Sequence, residues 1–210
     1  ILRYLEKYEG ITLKDKYVLY NGVDTSKFYP IDTGKKADNI FRIGCVANFW
    51  ELKDQITLIK SVEMLIKDGM KNIKVSFVGT GYTRESCERY VNENGLNNYF
   101  EFKNEVDHSQ LNTYYNTLDL FVLPSYWDSF GCVYTEAYSC SVPFMTAKGS
   151  GITEYIQEED FDKWVIEPHD YKALARNIKH YIKTREKQIL KYSVDINKLV
   201  PLFISYLMRK

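Results

Sequence analysis

The sequence predicts an α/β fold, a Rossmann-like doubly wound parallel sheet with helices on both faces. Short apolar runs rich in β-branched and aromatic residues alternate with longer stretches whose apolar residues recur at helical spacing. The loops with unusual glycines and charges follow the predicted strands rather than precede them. With 210 residues, of which 45% are hydrophobic, the chain is long enough for one sizeable domain with a buried core.

Six apolar runs predict the strands: Phe41 to Ala47, Lys74 to Val78, Phe100 to Phe102, Leu120 to Leu123, Phe144 to Thr146 and Trp164 to Ile166. The first helix carries an apolar stripe from Ile56 to Ile66, with Asp54 as its N-cap and Gly69 as its stop. Further helices are predicted over Glu85 to Asn94, Gln110 to Thr117, Val133 to Ser139, Ile152 to Gln157 and Tyr171 to Lys183. Repeated strand, helix, strand units predict parallel strands joined by right-handed crossovers.

Two flanks are predicted to lie outside the domain of residues 17–185. Residues 1–16 read as the end of a preceding helix and a crossover, and Tyr17 to Tyr20 as a strand that enters the domain. Residues 186–210 are predicted to form a helical tail, because apolar residues keep helical spacing around Pro201. Packing on its own domain, docking onto an absent domain and binding at a membrane surface are all open for this tail.

Composition excludes several classes of function. Lys plus Arg equal Asp plus Glu at 28 each, without a basic run, so nucleic acid is not expected as the main partner. The cysteines form no Cys-x-x-Cys pair and are predicted to be reduced packing residues: Cys45, Cys87, Cys132 and Cys140. The histidines lack ligand spacing, so no metal is expected: His108, His169 and His180. Without a signal peptide or a run of about 20 apolar residues, the expected location is cytoplasmic, with peripheral membrane association of a full-length protein left open.

Loops at the carboxyl ends of the strands carry the unusual residues: 48–53, Gly79 to Gly81, 103–106, 124–131 and 148–151. Loops at the opposite end, such as 68–72 and 94–98, carry ordinary helix stops. Doubly wound sheets bind ligands outside the carboxyl ends of their strands. One ligand cleft is therefore predicted along that edge.

Two carboxylates, Asp128 and Glu136, stand in this set of loops with seven residues between them. If a helix starts near Gly131, both side chains face the cleft, and the amides of Gly131, Cys132 and Val133 offer a site for a diphosphate. In the alternative interpretation, Asp128 is a helix N-cap and Glu136 a solvated helix residue.

Other residues of the predicted cleft give weaker signals. Lys53, in a loop with Asn48, is placed to meet a diphosphate as a point charge. Gly79 and Gly81 fit either a ligand turn or an ordinary tight turn between strand and helix. Trp127 either borders the ligand cleft or packs on the domain.

Taken in order, these segments resemble the retaining glycosyltransferases of GT-B fold, in the family 4 group also called glycosyl transferases group 1. The resemblance runs from about Tyr17 to Arg185 through six segments: Val18 to Pro30, Ile43 to Asp54, Phe77 to Gly81, Phe102 to Val106, Asp119 to Ser125 and Gly149 to Glu154. Its most specific piece is the segment from Asp128 to Glu136, which resembles the family's pair of glutamates separated by seven residues.

The resemblance implies that this chain is one half of a GT-B fold, the donor-binding half, and that an N-terminal acceptor domain is missing. By matching position, Glu136 would hold the ribose hydroxyls and Asp128 would contact the donor sugar. Backbone of Phe130 and Gly131 would face the sugar, the amides of Cys132 and Val133 the phosphates, and Val106 the base, while Gly79 and Gly81 would border the donor. Lys53 would neutralise the leaving diphosphate.

Two positions depart from the family pattern. Asn48 stands where many members have arginine, and Asp128 stands where glutamate is usual. The departures imply an altered donor geometry, since asparagine still donates a hydrogen bond.

The implied reaction transfers a sugar from a UDP-sugar or GDP-sugar to a hydroxyl with retention of configuration and without a bound metal. Cell-surface glycan or polysaccharide synthesis, with a glycan or lipid-linked acceptor, is the implied setting. Three alternatives are open: a nucleotide-sugar epimerase of the same fold, a non-catalytic nucleotide-sugar binding module, and a dinucleotide-dependent oxidoreductase. The last rests on Gly79 and Gly81 and lacks the third glycine of its fingerprint.

Overall fold

The structure, a computed structural model, describes residues 7, 9, 18–32 and 38–208. Among them, six strands form one parallel sheet: β1 (Phe41–Val46), β2 (Ile73–Val78), β3 (Phe100–Lys103), β4 (Leu120–Leu123), β5 (Phe144–Ala147) and β6 (Val165–Ile166). Their order is β3-β2-β1-β4-β5-β6. The predicted Rossmann-like class is confirmed, and the strand order reverses between β1 and β4, where such sheets open a crevice.

Seven α-helices lie in the described residues: α1 (Gln55–Lys67), α2 (Arg84–Glu93), α3 (His108–Asn116), α4 (Cys132–Ser139), α5 (Phe161–Trp164), α6 (Tyr171–Thr184) and α7 (Ile196–Met208). Helix α1 contacts α2 and α6, whereas α3 contacts α4, so that helices cover both faces of the sheet. The predicted crossover helices are confirmed to within one or two residues, except for the helix predicted over Ile152 to Gln157. Trp164, predicted to begin a strand, instead ends the short helix α5.

The exception is the stretch from Ile152 to Gln157, for which the prediction of a crossover helix is wrong. Residues Gly151–Tyr155 form a 3-10 helix, in which the Thr153 amide donates to the Ser150 carbonyl at 3.1 Å. The Thr153 hydroxyl donates to the same carbonyl. Bonds between residues three apart close a tighter turn that rarely extends beyond a few residues.

The strand predicted for Tyr17 to Tyr20 is also wrong for residues 18–20, while Tyr17 lies outside the described residues. Tyr20 packs through its side chain, with its ring stacked on Tyr192 at 4.5 Å and edge-on to Tyr155 at 5.2 Å. Backbone pairing in this segment occurs at Val23, which bridges to residue 195. The helix and crossover predicted for residues 1–16 lie outside the described residues, apart from residues 7 and 9.

The predicted C-terminal tail is helical over only part of its length, since residues 186–195 have no helix. There the buried Gln188 side chain bonds both the amide and the carbonyl of Phe144, which holds this stretch against the start of β5. Helix α7 follows and is tied to the domain at its first turn, where the Ile196 amide donates to the Val23 carbonyl at 3.0 Å. The domain boundaries at residues 17 and 185 stay predictions.

Candidate functional site

The loops after β1, β2, β4 and β5 contact one another at the carboxyl edge of the sheet. The Phe49 amide donates to the Thr80 carbonyl at 2.8 Å, which joins the first loop to the second. The Tyr126 amide donates to the Leu52 carbonyl at 3.2 Å, and the Gly151 amide to the Asp128 carbonyl at 2.9 Å. The predicted edge is therefore one continuous surface of loops.

Lys53 and Asp128, which are far apart in sequence, form an ion pair on this surface. Lys53 Nζ lies 2.6 Å from Asp128 Oδ2, with the side chains 23% and 13% exposed. Lys53 ends a 3-10 turn (Glu51–Lys53), and the Ser125 hydroxyl donates to the carbonyl of Leu52 within that turn. A phosphate that approaches Lys53 must therefore share the ammonium with a carboxylate.

Glu136 lies at the same edge of the sheet, in the second turn of α4. Its side chain is buried, and one oxygen, Oε2, accepts a hydrogen bond from the Tyr115 hydroxyl at 2.9 Å. The other oxygen, Oε1, lies 3.8 Å from His108 Nε2. Burial raises the pKa of the Glu136 carboxyl above its ordinary value, while Tyr115 and His108 act in the opposite direction.

The alternative in which Asp128 caps the helix and Glu136 is solvated is therefore wrong. Gly131 is the N-cap of α4, with φ +79°, and Glu136 is packed inside. A β-carbon at Gly131 would lie 2.6 Å from the ring of Tyr134, so the turn has no room for one.

The first turn of α4 begins at the loop that carries Asp128, directly after Gly131. Amides of the first turn, here those of Cys132 and Val133, have no partner within the helix and carry the positive end of its dipole. The helix is held in place by Tyr134, whose hydroxyl donates to the Leu123 carbonyl at 2.7 Å. Phe130, just before the turn, is buried, with its amide 3.4 Å from Asp128 Oδ1.

Cys132 departs from the prediction that all four cysteines are packing residues. All four are free thiols, and three are buried, but Cys132 is exposed at the start of α4. The reason is its position on the first turn of a helix that meets the loop surface. Among the described residues, no group of three or more His, Cys, Asp or Glu side chains is placed to hold a metal ion.

Gly79 and Gly81 have a packing role that accounts for both glycines. A β-carbon at Gly79 would lie 2.2 Å from the Ala47 carbonyl oxygen, and one at Gly81 would lie 2.5 Å from the Phe49 carbonyl oxygen. The loop after β2 therefore lies directly on the loop after β1. This favours the tight-turn interpretation, while donor contact by the same glycines stays a prediction.

Asn48 and Val106 lie at the surface of the loops without a contact that joins them to Lys53 or Glu136. Asn48 is exposed, and its carbonyl accepts a hydrogen bond from the Gln55 side chain at 2.9 Å. Val106 is half-buried between β3 and α3. Trp127 is 74% exposed, which contradicts packing on the domain. Backbone hydrogen bonds hold the loop on either side of it, at the Tyr126 amide and the Asp128 carbonyl.

Three residues that sequence reasoning did not single out support the site. Arg84 Nη1 donates to the carbonyls of Gly79 and Lys103 at 3.0 and 3.2 Å, which joins the loops after β2 and β3. Tyr115 and His108 surround the Glu136 carboxylate. A basic residue at the start of the helix after Gly81 was the available signal for Arg84, whereas no local pattern marks Tyr115.

His169 also reaches this edge from the loop after β6. Its Nδ1 lies 2.9 Å from Asp54 Oδ2, and its ring stands edge-on to Tyr126 at 4.7 Å. Asp54 and His169 both have positive φ, at 50° and 65°, which is uncommon for residues with side chains. Asp54 occupies the predicted N-cap position of α1, and burial raises the pKa of its carboxyl.

A cavity of about 440 Å³ lies elsewhere, between α3 and the polar side of β1, β2 and β3. Much of its lining comes from the starts of these strands, at Arg42, Lys74 and Phe100, which is the end opposite to the carboxyl edge where doubly wound sheets bind ligands. The candidate site is therefore the loop surface around Lys53, Asp128 and Glu136, where charge, burial and free amides converge. None of the helices in the described part of the chain is long and apolar enough to cross a membrane.

Comparison with known proteins identifies a family for most of the chain. The model of the family described as glycosyl transferases group 1 matches residues 31–192. Protein CapJ of Staphylococcus aureus is 27% identical over 172 residues, which cover 80% of this chain and 41% of that protein. A probable sucrose-phosphate synthase of Thermosipho melanesiensis is 27% identical over 194 residues, covering 88% of this chain and 44% of its own length. The chain thus spans less than half of these relatives.

Solved structures show the same fold. The C-terminal domain of a glycosyl transferase group 1 family protein (LpcC) from Francisella tularensis superposes with a TM-score of 0.69 at 21% identity, covering 88% of this chain and 98% of that domain. HepE of Anabaena, solved in complex with UDP and glucose, gives a TM-score of 0.75 at 19% identity, covering 91% of this chain and 56% of HepE.

Proposed function

Because the chain belongs to the family of glycosyl transferases group 1, we propose that it is the donor-binding domain of a glycosyltransferase that uses a nucleoside diphosphate sugar. The observation that carries the proposal is the convergence of Lys53, the first turn of α4 and the buried Glu136 on one edge of the sheet. A cation, free amides and a carboxylate acceptor are the groups that a diphosphate and a ribose require.

Each group of the site has a role in this proposal. Glu136 Oε1 accepts a hydrogen bond from a ribose hydroxyl, because Oε2 is already bonded to Tyr115. The amides of Cys132 and Val133 bind the phosphates at the positive end of α4. Lys53 exchanges part of its pairing with Asp128 for the diphosphate as the negative charge on the leaving group grows.

The donor sugar lies over Asp128, Phe130 and Gly131, and the base lies near Val106. Gly79 and Gly81 border the phosphates, and Asn48 contributes a hydrogen bond rather than a charge. The reaction retains the anomeric configuration and uses electrostatic stabilisation rather than a metal. Asp128 and Glu136 are donor-binding groups and not the acid and nucleophile of a glycosidase.

The acceptor site belongs to the part of the protein that this chain lacks. The chain spans less than half of CapJ and of the sucrose-phosphate synthase, so a second, N-terminal domain completes the cleft in this proposal. Relatives named as capsular polysaccharide glycosyltransferases favour a polysaccharide or another glycan as the product. The full-length protein is proposed to act in the cytoplasm, on a glycan acceptor or, with peripheral association at a membrane, on a lipid-linked one.

A non-catalytic binding module is the second candidate, and the Lys53 to Asp128 ion pair is the observation that favours it. At 2.6 Å the carboxylate neutralises the one cation that the proposal assigns to the leaving group. Product analysis with full-length protein and intact donor separates transfer, epimerisation and simple binding. The chain by itself is expected to bind nucleotide but to transfer no sugar.

Calorimetric titration of the chain with UDP, GDP, ADP and their sugar conjugates tests the proposal. We expect saturable binding by one series, weakened about tenfold or more in Lys53→Ala and Glu136→Ala, because each loses a bond to a charged group. Lys179→Ala is the matched control. Lys179 also pairs with a carboxylate, that of Asp68, but it lies on α6 rather than in the loops of the candidate site. Trp127→Ala should weaken binding less than Glu136→Ala; equal losses would contradict the ribose assignment. No binding by any series would contradict the proposal for this domain.

A further inference from the structure

The two oxygens of the Glu136 carboxylate are in different surroundings. Oε2 is occupied by the Tyr115 hydroxyl at 2.9 Å. Burial and the neighbouring carboxylate raise the pKa of Tyr115, so its hydroxyl stays a donor at neutral and acidic pH. Oε1 faces His108 Nε2 at 3.8 Å, which is too long for a hydrogen bond but close enough for an ion pair. Oε1 is thus the acceptor through which a ligand reaches this carboxylate.

His108 stands on the solvent side of Oε1 and is held there by its neighbours. It is the first residue of α3, and its side chain is 67% exposed. Its ring stands edge-on to the buried Phe28 at 5.3 Å. The preceding residue, Asp107, accepts a hydrogen bond from the Ser109 amide at 2.8 Å and thereby caps the helix. The imidazole is therefore kept near Glu136 while one side remains open to solvent.

The charge of His108 decides how strongly it holds Oε1. Imidazole is the side chain whose charge ordinarily changes between about pH 5 and 8. Its titratable neighbours are Glu136 on α4, Asp107 beside it, Tyr115 on α3 and, beyond the carboxylate, Cys132. Two of these are carboxylates, so the protonated ring is attracted to the position that a ligand hydroxyl would take, whereas the neutral ring leaves Oε1 accessible.

We propose that His108 is a positioning residue that competes with a ligand hydroxyl for Glu136 Oε1, so that nucleotide binding weakens when the imidazole is protonated. This inference rests on the proposed ribose contact of Glu136. It assigns to His108 a pH-dependent control of donor binding that comes from the contact between α3 and α4.

Calorimetric affinities of the nucleotide series that binds, measured at pH 7.5 and 5.5, test the inference. We expect the loss of affinity on acidification to be about threefold to fivefold greater in the unaltered chain than in His108→Ala, as an ion pair of this kind is worth up to about that factor. Protonation of the nucleotide affects both proteins equally and cancels in the comparison. Protonation of Glu136 does not cancel, because His108 lowers the pKa of that carboxyl, but it makes acidification cost more affinity in His108→Ala, which is the opposite of the expected result. His180→Ala is the matched control. His180 lies on α6, and its Nε2 also faces a carboxylate oxygen, Glu186 Oε1 at 3.2 Å.

The outcomes are distinct. A pH dependence that is reduced in His108→Ala and unchanged in His180→Ala supports the competition. Equal pH dependence in His108→Ala and the unaltered chain overturns it, as does binding that strengthens on acidification through His108. Either of these results leaves the donor-site proposal standing if nucleotide binds at pH 7.5. Absence of binding at both pH values overturns the proposed function, and the inference with it.

Discussion

At the scale of single residues, Glu136 stands out because its buried carboxylate pairs with no lysine or arginine in the described part of the chain. Tyr115 and His108 contact it, yet burial still raises the pKa of its carboxyl. Glu63 is a useful contrast: burial acts on it too, but Lys67 and a hydrogen bond from Tyr90 lower its pKa overall. A buried carboxylate whose pKa is raised, and which has no lysine or arginine partner, is typical of a binding site.

The contrast predicts opposite effects of Glu136→Gln and Glu63→Gln on stability. A raised pKa in the folded state means that stability falls as pH rises from the unfolded value through the folded one. Ionised Glu136 therefore costs stability at pH 7.5, and Glu136→Gln should raise the Tm there while it weakens nucleotide binding. Glu63→Gln should lower the Tm, because a lowered pKa contributes stability at that pH.

Thermal unfolding followed by circular dichroism at pH 7.5 and 4.5 measures both effects. The gain in Glu136→Gln should shrink at the lower pH, where the native carboxyl is more fully protonated. A Tm that falls in Glu136→Gln at pH 7.5 would show that the charge of Glu136 stabilises the fold and would contradict this account.

At the scale of elements, the site depends on close packing between consecutive loops. Gly79 and Gly81 let the loop after β2 lie on the backbone of the loop after β1, and Gly149 does the same against the carbonyl of Tyr126. Arg84 adds hydrogen bonds to three carbonyls around β2 and β3. The loops are thus a packed layer that fixes the position of Lys53.

Gly79→Ala and Gly69→Ala separate crowding from backbone strain. Both glycines have positive φ, at 142° and 94°, but a β-carbon at Gly69 meets nothing within 4 Å, whereas one at Gly79 lies 2.2 Å from the Ala47 oxygen. Gly69→Ala should cost about 1 kcal/mol of unfolding free energy from strain alone. Gly79→Ala should cost about 3 kcal/mol or more, because overpacking is added.

Urea denaturation of the two variants gives these free energies. Gly79→Ala should also weaken nucleotide binding, since the loop that carries Lys53 must shift. Equal losses of stability in the two variants would mean that the loops relax freely, and the packed layer would then not be a fixed platform.

At the scale of the whole molecule, helix α7 is joined to the domain by its first turns. Val23 bonds both Val194 and Ile196 through its backbone, and Leu199 is buried against Gly22. Farther along the same helix, Leu202 and Leu207 are 60% and 53% exposed. The first turns of α7 are therefore packed on this domain, while Leu202 and Leu207 farther along face outward.

Leu199→Ala and Leu202→Ala test whether α7 unfolds with the domain. The two residues share one helix and one residue type but differ in burial, at 8% and 60% exposed. Leu199→Ala should cost about 2 to 3 kcal/mol in a single cooperative transition. Leu202→Ala should change stability by no more than about 0.5 kcal/mol.

Chemical denaturation followed by both circular dichroism and tryptophan fluorescence provides the measurement. A separate early transition for the helix, or no effect of Leu199→Ala, would show that α7 is not part of the cooperative unit.

The sequence by itself determined the parallel α/β fold, the edge of the sheet that carries the unusual loops and the start of α4 at Gly131. Each of these follows from local signals, because the apolar period of a segment, the place of a loop after a strand and a glycine at a helix start are all visible in neighbouring residues. The same local signals misjudged Ile152 to Gln157 and residues 18–20, where short apolar runs fit more than one structure.

The tertiary structure alone decided which side chains meet. Lys53 reaches Asp128 across 75 residues, and Tyr115 reaches Glu136 across 21. Such pairs depend on the strand order and on the direction in which each loop leaves the sheet, which no local pattern records. The sequence therefore predicted the edge of the sheet and its two carboxylates, and only the assembled sheet showed that Asp128 neutralises Lys53 while Glu136 is buried with one oxygen bonded to Tyr115.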